Sequence, residues 1–317
     1  MLGALDPGAP MPFGRDSIVR AVLAEPATAL LVQRALVMEV AHPAVAAAVD
    51  HHSHFQRRPL SRAWATTDVA LRLVFGDEHV ARGAARQVYG VHDHINGHVS
   101  GHINGHVSGH MNEPFTGRPV GPTVPGSGGD EDGGDTRYTA HDASLLAWVW
   151  ATLVDTAETA FTRWVRPFGA DEAEAFYGEM RSFGHFFGIP DELLPADRKS
   201  FACYLEGMLA HDQLGASGPS RALARQVLWF SHRSVPAPLV RLERELALAT
   251  LDRRVIERLD IRPEAAELER GRRTDAWMTA HYRRFPRPPG ILPALYVLMR
   301  RPSIGLAGRI RTVLGRS

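Results

Sequence analysis

Arg62 and Thr66 stand four residues apart in the stretch Leu60–Gly97, and His92 follows thirty residues after Arg62. At 3.6 residues per turn the stretch predicts two helices broken at Gly76-Asp77. On the first, Arg62 and Thr66 share a side with Val69, Leu73 and the flank of Trp64, which pairs a fixed cation with a hydroxyl. On the second, Val88, Tyr89, His92 and Ile95 form one stripe, so the imidazole of His92 projects from the apolar side. A histidine so placed needs a partner. The residues leave three open: a backbone carbonyl or acid of an ordinary core, a metal or haem iron bound through neutral imidazole, or a proton-transfer substrate.

Elements on either side must position these groups. Upstream runs AHPAVAAAVDHHSHF, from Ala41 to Phe55, whose small residues permit close approach of a helix or a flat cofactor. Its histidines His42, His51 and His54 read as solvent-facing or as helix caps, and His52 as a candidate for lining the site. Downstream come YTAHDASLLAWVWATL, from Tyr138 to Leu153, and FACYLEGML, from Phe201 to Leu209.

Taken in order, the words HP-x-V-A-x-x-V-x-x-HS-x-F, R-x-x-x-T, H-x-x-[IV]-x-G, Y-x-A-x-D-x-x-L-L-x-W-V and F-x-x-Y-L-x-x-M-L resemble the family of latex-clearing rubber oxygenases and MpaB-type oxygenases, over roughly residues 20–290. The resemblance implies an all-α, single-domain bundle with a core similar to the globin arrangement around a haem b pocket. It implies dioxygen-dependent cleavage of double bonds in isoprenoid chains. It places His92 at the proximal ligand of the haem iron. Arg62 and Thr66 fall on the distal polar pair, with Arg62 also near the cofactor, and His52 lies within the HS word as a catalytic substitute. The chain departs from the pattern at three points. Ala65 stands where rubber-cleaving members carry a lysine, Ala46 lies at about the distance where they carry an acid, and Trp150 replaces a histidine found in many relatives. Asp50 and His52 are the nearby groups able to substitute for the acid. The expected activity is therefore a haem-dependent oxygenase acting on an apolar, unsaturated, isoprenoid-like molecule. The alternative is a non-catalytic protein that binds haem or a lipophilic ligand.

Composition agrees with a folded globule: 317 residues, 44% hydrophobic and 22% charged. A formal net charge of +1 argues against a nucleic-acid partner. Lys199 is the only lysine, a bias that carries no functional information. The single cysteine, Cys203, excludes an internal disulfide and reads as small core filler. The N-terminus lacks a secretory pattern, and the apolar run 27–41 is broken by Gln33, Arg34 and Glu39. The expectation is a soluble, cytoplasmic protein of unassigned oligomeric state, with dioxygen and a small lipophilic molecule as its partners. Dinucleotide, P-loop, serine-elbow, HExxH and paired CxxC signatures are missing from the sequence.

Residues 1–14 read as a loose arm and 15–300 as the helical domain. Within the domain, HINGHVSG occurs twice in tandem from His94 to Gly109, and the Pro/Gly/Asp-rich run continues to Arg137. Four-residue His spacing would suit a transition metal, but the letter-perfect repeat with glycine at every fourth position reads better as a duplicated surface loop, and 96–137 is expected to be mobile or a lid. Helices are expected near 17–25, 26–40, 141–165, 171–186 with an interruption at Gly184, 191 or 197–211, 219–232, 238–259 and 263–283, with little β structure. Residues 301–317 form a basic amphipathic end that fits weak peripheral contact with an anionic membrane, or docking on the protein itself.

Overall fold

The structure, a computed structural model, describes residues 13–14, 16–52, 68–92, 96–99, 136–139, 142–212, 214–231 and 235–284. Apart from one short ribbon, their regular secondary structure is helical. In chain order come α1 (Ile18–Leu23), α2 (Pro26–Ala29), α3 (Val32–Ala41), α4 (Pro43–His52), α5 (68–75) and α6 (Glu78–His92). The ribbon β1 (Asn96–Val99) and β2 (Thr136–Thr139) follows, then α7 (Ala143–Ala160), α8 (Ala170–Phe186), α9 (Arg198–Ala210), α10 (Gly218–Leu228), α11 (Ala237–Thr250), α12 (Arg253–Arg258) and α13 (Ala265–His281).

Local chemistry sets most boundaries. Asp142 caps α7 by accepting from the Ser144 N–H at 2.9 Å, and Asp197 caps α9 through Ser200 at 2.7 Å. The break between α5 and α6 falls at Gly76-Asp77 as expected. A side chain at Gly76 would meet the Arg72 carbonyl at 2.4 Å, and the Asp77 carboxylate accepts from the Val80 N–H at 2.9 Å to start α6. Two expected helices are each divided. The 26–40 segment gives α2 and α3 with a turn at Leu30-Leu31, and 238–259 gives α11 and α12 because Asp252 caps a new helix through Arg254 at 2.8 Å.

α3 is the central helix, packed on α4, α7, α10 and α11. One apolar cluster joins its N-terminal approach to α7 and α8 around Leu31, Trp150, Val154, Phe176, Tyr177 and Met180. A second joins Val37, Met38 and Val40 to Trp148, Leu228 and Leu259. Two of the polar residues that interrupt the apolar run of α3 are buried inside this body. Arg34 donates to Thr156 Oγ1 at 2.8 Å, to Asp155 at 2.5 Å and to the Thr250 carbonyl at 3.3 Å, so its charge is fully answered.

Two expectations are corrected. Cys203 is exposed on α9 and fills no core. α8 runs uninterrupted through Gly184, where a Cβ would meet Leu194 at 2.8 Å and the Trp150 indole nitrogen at 3.3 Å, so the glycine serves close packing. At the bounds of the 96–137 segment, Asn96–Val99 pairs antiparallel with Thr136–Thr139 and β1 lies against α4, while residues 100–135, on which the expected mobility falls, lie outside the described residues. The second HINGHVSG copy, the arm 1–12 and the tail 301–317 lie outside the described residues. Among the described residues no helix is long and apolar enough to cross a membrane.

Candidate functional site

α6 carries a narrow inward stripe. Ala81, Ala84 and Ala85 are fully buried, Val88 is half-buried, and His92 continues the same face at the last residue of the helix, also half-buried. Spacing of 81, 85, 88 and 92 keeps all four within about a quarter-turn of one direction. The stripe is walled by Val69 and Leu73 of α5 and by Phe183, Phe186 and Phe187 at the end of α8. Phe187 meets Phe183 edge-on at 4.8 Å and Phe186 at 5.7 Å, which adds aromatic packing to the apolar wall. His92 follows Ala85 by two turns, about 10 Å along the helix axis.

Past His92 the chain enters β1 within four residues, and β1 packs on α4. α4 turns Ala44 and Ala47 toward Leu145 of α7, with Val45 and Ala48 beside them. The end of α6, the ribbon and α4 therefore belong to one neighbourhood. His52 is the last residue of α4, so its backbone belongs there, but its side chain is outside what the structure describes. Arg62 and Thr66 lie outside the described residues, immediately before α5. Ala46, where the family pattern would lead to an acid, is fully buried, and Asp50 is exposed.

Trp150, in the place of a relative's histidine, is a core residue. Its indole donates to the Met180 carbonyl at 2.6 Å and packs edge-on against Tyr177 and Phe201. Trp148 and Trp164 are equally buried, and their N–H groups are held by the Met38 carbonyl at 3.1 Å and by Asp275 at 3.0 Å. Packing and hydrogen bonding account for all three.

One group received only a cap or solvent role from the sequence. His42 sits at the elbow between α3 and α4, where its Nδ1 accepts from the Ala44 N–H at 3.3 Å. That bond caps α4 and leaves the ring proton on Nε2. Burial lowers the pKa of His42 to about 4, the Asp142 carboxylate raises it in part, and His211 lowers it again. A neutral imidazole thus sits at the start of α4 within electrostatic reach of Asp142, before α7, and His211, after α9. The HP word marks the position, but Asp142 and His211 lie a hundred residues or more away in sequence.

Among the described residues no group of three or more His, Cys, Asp or Glu side chains is arranged to hold a bare metal ion. An iron porphyrin asks less of the protein, because the macrocycle supplies four nitrogen donors and one imidazole completes the axial set. A half-buried histidine on an otherwise apolar helix face fits that requirement.

A family model described as ER-bound oxygenase mpaB/B'/Rubber oxygenase, catalytic domain, matches residues 19–281. No curated protein and no solved structure matches the chain. The matched span runs from the second residue of α1 to the end of α13, and the chain belongs to this mpaB/rubber oxygenase catalytic-domain family.

Proposed function

We propose that the chain binds haem b through His92 and uses dioxygen to oxidise an apolar, unsaturated, isoprenoid-like substrate. The carrying observation is that His92 continues the buried stripe of α6 in a chain of an oxygenase family. The bound iron porphyrin supplies the dioxygen and one-electron chemistry that amino-acid side chains lack. The chain's own residues do the rest. Val69, Leu73, Phe183 and Phe186 exclude water and favour a greasy ligand. In this reading Arg62 holds a carboxylate of the cofactor, Thr66 offers a hydroxyl to order dioxygen or water, and His52 takes or returns a proton.

Protein produced with haem supply is expected to show a Soret band that His92→Ala abolishes while helical circular dichroism is retained. A wild type without the band, or a His92→Ala variant that keeps it, overturns the assignment. Dioxygen uptake with an isoprenoid oligomer then tests turnover. The missing acid and lysine at Ala46 and Ala65 favour a second reading, haem or lipophilic-ligand binding without turnover. Its signature is a Soret band that responds to the oligomer with no dioxygen consumed.

A further inference from the structure

The word F-x-x-Y-L-x-x-M-L, Phe201 to Leu209, falls on α9, and core packing accounts for its two ends but not for its middle. Phe201, Tyr204, Leu205, Met208 and Leu209 share one face at helical spacing, with no charged residue among them. Phe201 and Leu209 are buried, whereas Tyr204, Leu205 and Met208 between them are only half-buried. α7 carries a matching gap. Around its axis, Leu145 packs on Ala44 and Ala47 of α4, and Trp150 packs on Phe201 of α9. At about 100° per residue, Leu146, Val149 and Leu153 fall between those two directions. The first two are half-buried and Leu153 is 37% exposed.

The two helices run antiparallel. Glu158 pairs with Arg198 at one end, Trp150 meets Phe201 with ring centres 5.6 Å apart, and Trp148 shares a cluster with Leu209 at the other. Tyr204 and Leu146 pack on the first apolar cluster, and Leu205 and Met208 pack on the second beside Val45 and Val49 of α4, which are also half-buried. The half-open faces of α4, α7 and α9 therefore border one another. One polar group stands among them. The hydroxyls of Tyr177 and Tyr282 donate to the Pro195 carbonyl at 2.6 Å and to Glu25 at 3.2 Å, whereas the Tyr204 hydroxyl has no hydrogen-bond partner among the described residues. Burial pushes the Tyr204 phenol above its ordinary pKa, so at neutral pH it keeps its proton and remains a donor.

We propose that these faces bound an apolar cleft for a lipophilic molecule bearing a carbonyl group, and that Tyr204 donates a hydrogen bond to the carbonyl oxygen. A desolvated donor without an acceptor is unfavourable, and a ligand oxygen relieves it. The same chemistry separates this ligand class from its rivals. A bare hydrocarbon fills the apolar walls but leaves the hydroxyl unanswered. A carboxylate or phosphate calls for a cation, and Arg198, at the end of the stripe, is already paired with Glu158. Calling this ligand the substrate rests on the function proposed above, and it narrows that substrate from a plain isoprenoid hydrocarbon to an oxygenated one.

The test is equilibrium dialysis of the full chain against radiolabelled farnesylacetone, a prenyl methyl ketone, and against the hydrocarbon of matching length and unsaturation. The ketone is expected to bind more tightly than the hydrocarbon. Tyr204→Phe keeps the ring and removes the donor, so it is expected to weaken ketone binding about fivefold, the worth of one neutral hydrogen bond, and to leave hydrocarbon binding unchanged. Val149→Trp, which fills the gap on α7, is expected to weaken both. Thermal melting of Tyr204→Phe should match wild type, which separates a lost contact from a lost fold. Absence of binding by either ligand, ketone binding unchanged in Tyr204→Phe, an equal loss for ketone and hydrocarbon, or unchanged binding in a folded Val149→Trp would each overturn the proposal. Dialysis needs neither haem nor dioxygen, so its failure is distinguishable from failure of the oxygenase reading.

Discussion

Arg163 grips Asp275 with two prongs: Nε and Nη2 each donate to one carboxylate oxygen at 2.5 Å. The contact depends on a π turn at Phe161–Val165, where the Arg166 N–H reaches back to the Phe161 carbonyl at 3.0 Å. The wider turn sets Arg163 and Trp164 so that both address α13, and the Trp164 indole donates to the same carboxylate at 3.0 Å. Three donors on one acid tie the end of α7 to α13.

Asp275→Ala should destabilise the fold by about 2 kcal/mol in urea titrations, chiefly because the buried Trp164 N–H loses its acceptor while half-exposed Arg163 is rehydrated. Burial pushes the Asp275 carboxyl up, but the hydrogen bonds from Arg163 and Trp164 outweigh it and hold the carboxyl below its usual range. A depressed acid contributes fully above its ordinary value and less as pH falls beneath it, so the difference between variant and wild type should shrink below about pH 4. A constant difference down to pH 2 would contradict this account.

Glu243 of α11 should make the protein less stable as pH rises. Burial raises its pKa to about 7, and the only opposing cause is the Gln33 amide, which donates at 3.4 Å. The unfolded carboxyl ionises first, near the ordinary value of 4.5, so stability falls between there and about 7 and is flat above. Glu243→Gln should remove that slope and gain on the order of 1–2 kcal/mol above neutrality, discounted for partial exposure. Chemical denaturation at pH 5 and pH 8 checks it, and equal gains at both would refute the mechanism.

His42 works in the opposite direction. Its pKa is lowered to about 4 in the fold, so the unfolded chain takes up a proton first as pH falls through the ordinary histidine value of 6.5. Stability from this group is complete above that value and is lost progressively toward pH 4. His42→Gln should flatten this part of the stability profile while keeping an acceptor for the Ala44 N–H. A profile unchanged in the variant would show that the ring is solvated.

Trp150→His, which restores the residue found in many relatives, should cost about 2–4 kcal/mol, because a smaller ring leaves a cavity beside Gly184 and Leu194 and strands the Met180 carbonyl. The melting temperature reports it. No gain in haem affinity is expected, since the indole is enclosed by Tyr177 and Phe201 in the core.

Much of this molecule could be read from local pattern. The 3.6-residue period, the caps at Asp77, Asp142 and Asp197, and the break at Gly76 depend on neighbours within a few residues, so the helices α6 to α9 fall close to where the sequence places them. The same locality puts His92 on the helix face of Ala81, Ala85 and Val88, because a residue's face follows from its helix register. Five short words in order sufficed to indicate the family. Contacts across the chain decided the rest. The burial of Arg34, the neutral state of His42, the exposure of Cys203 and the enclosure of Trp150 each depend on which helices happen to arrive at that side chain. The pairing of β1 with β2 joins strands separated by the whole 100–135 segment, and no local period signals it. Periodicity tells a side chain which way to point, but only the packed fold supplies what it meets there.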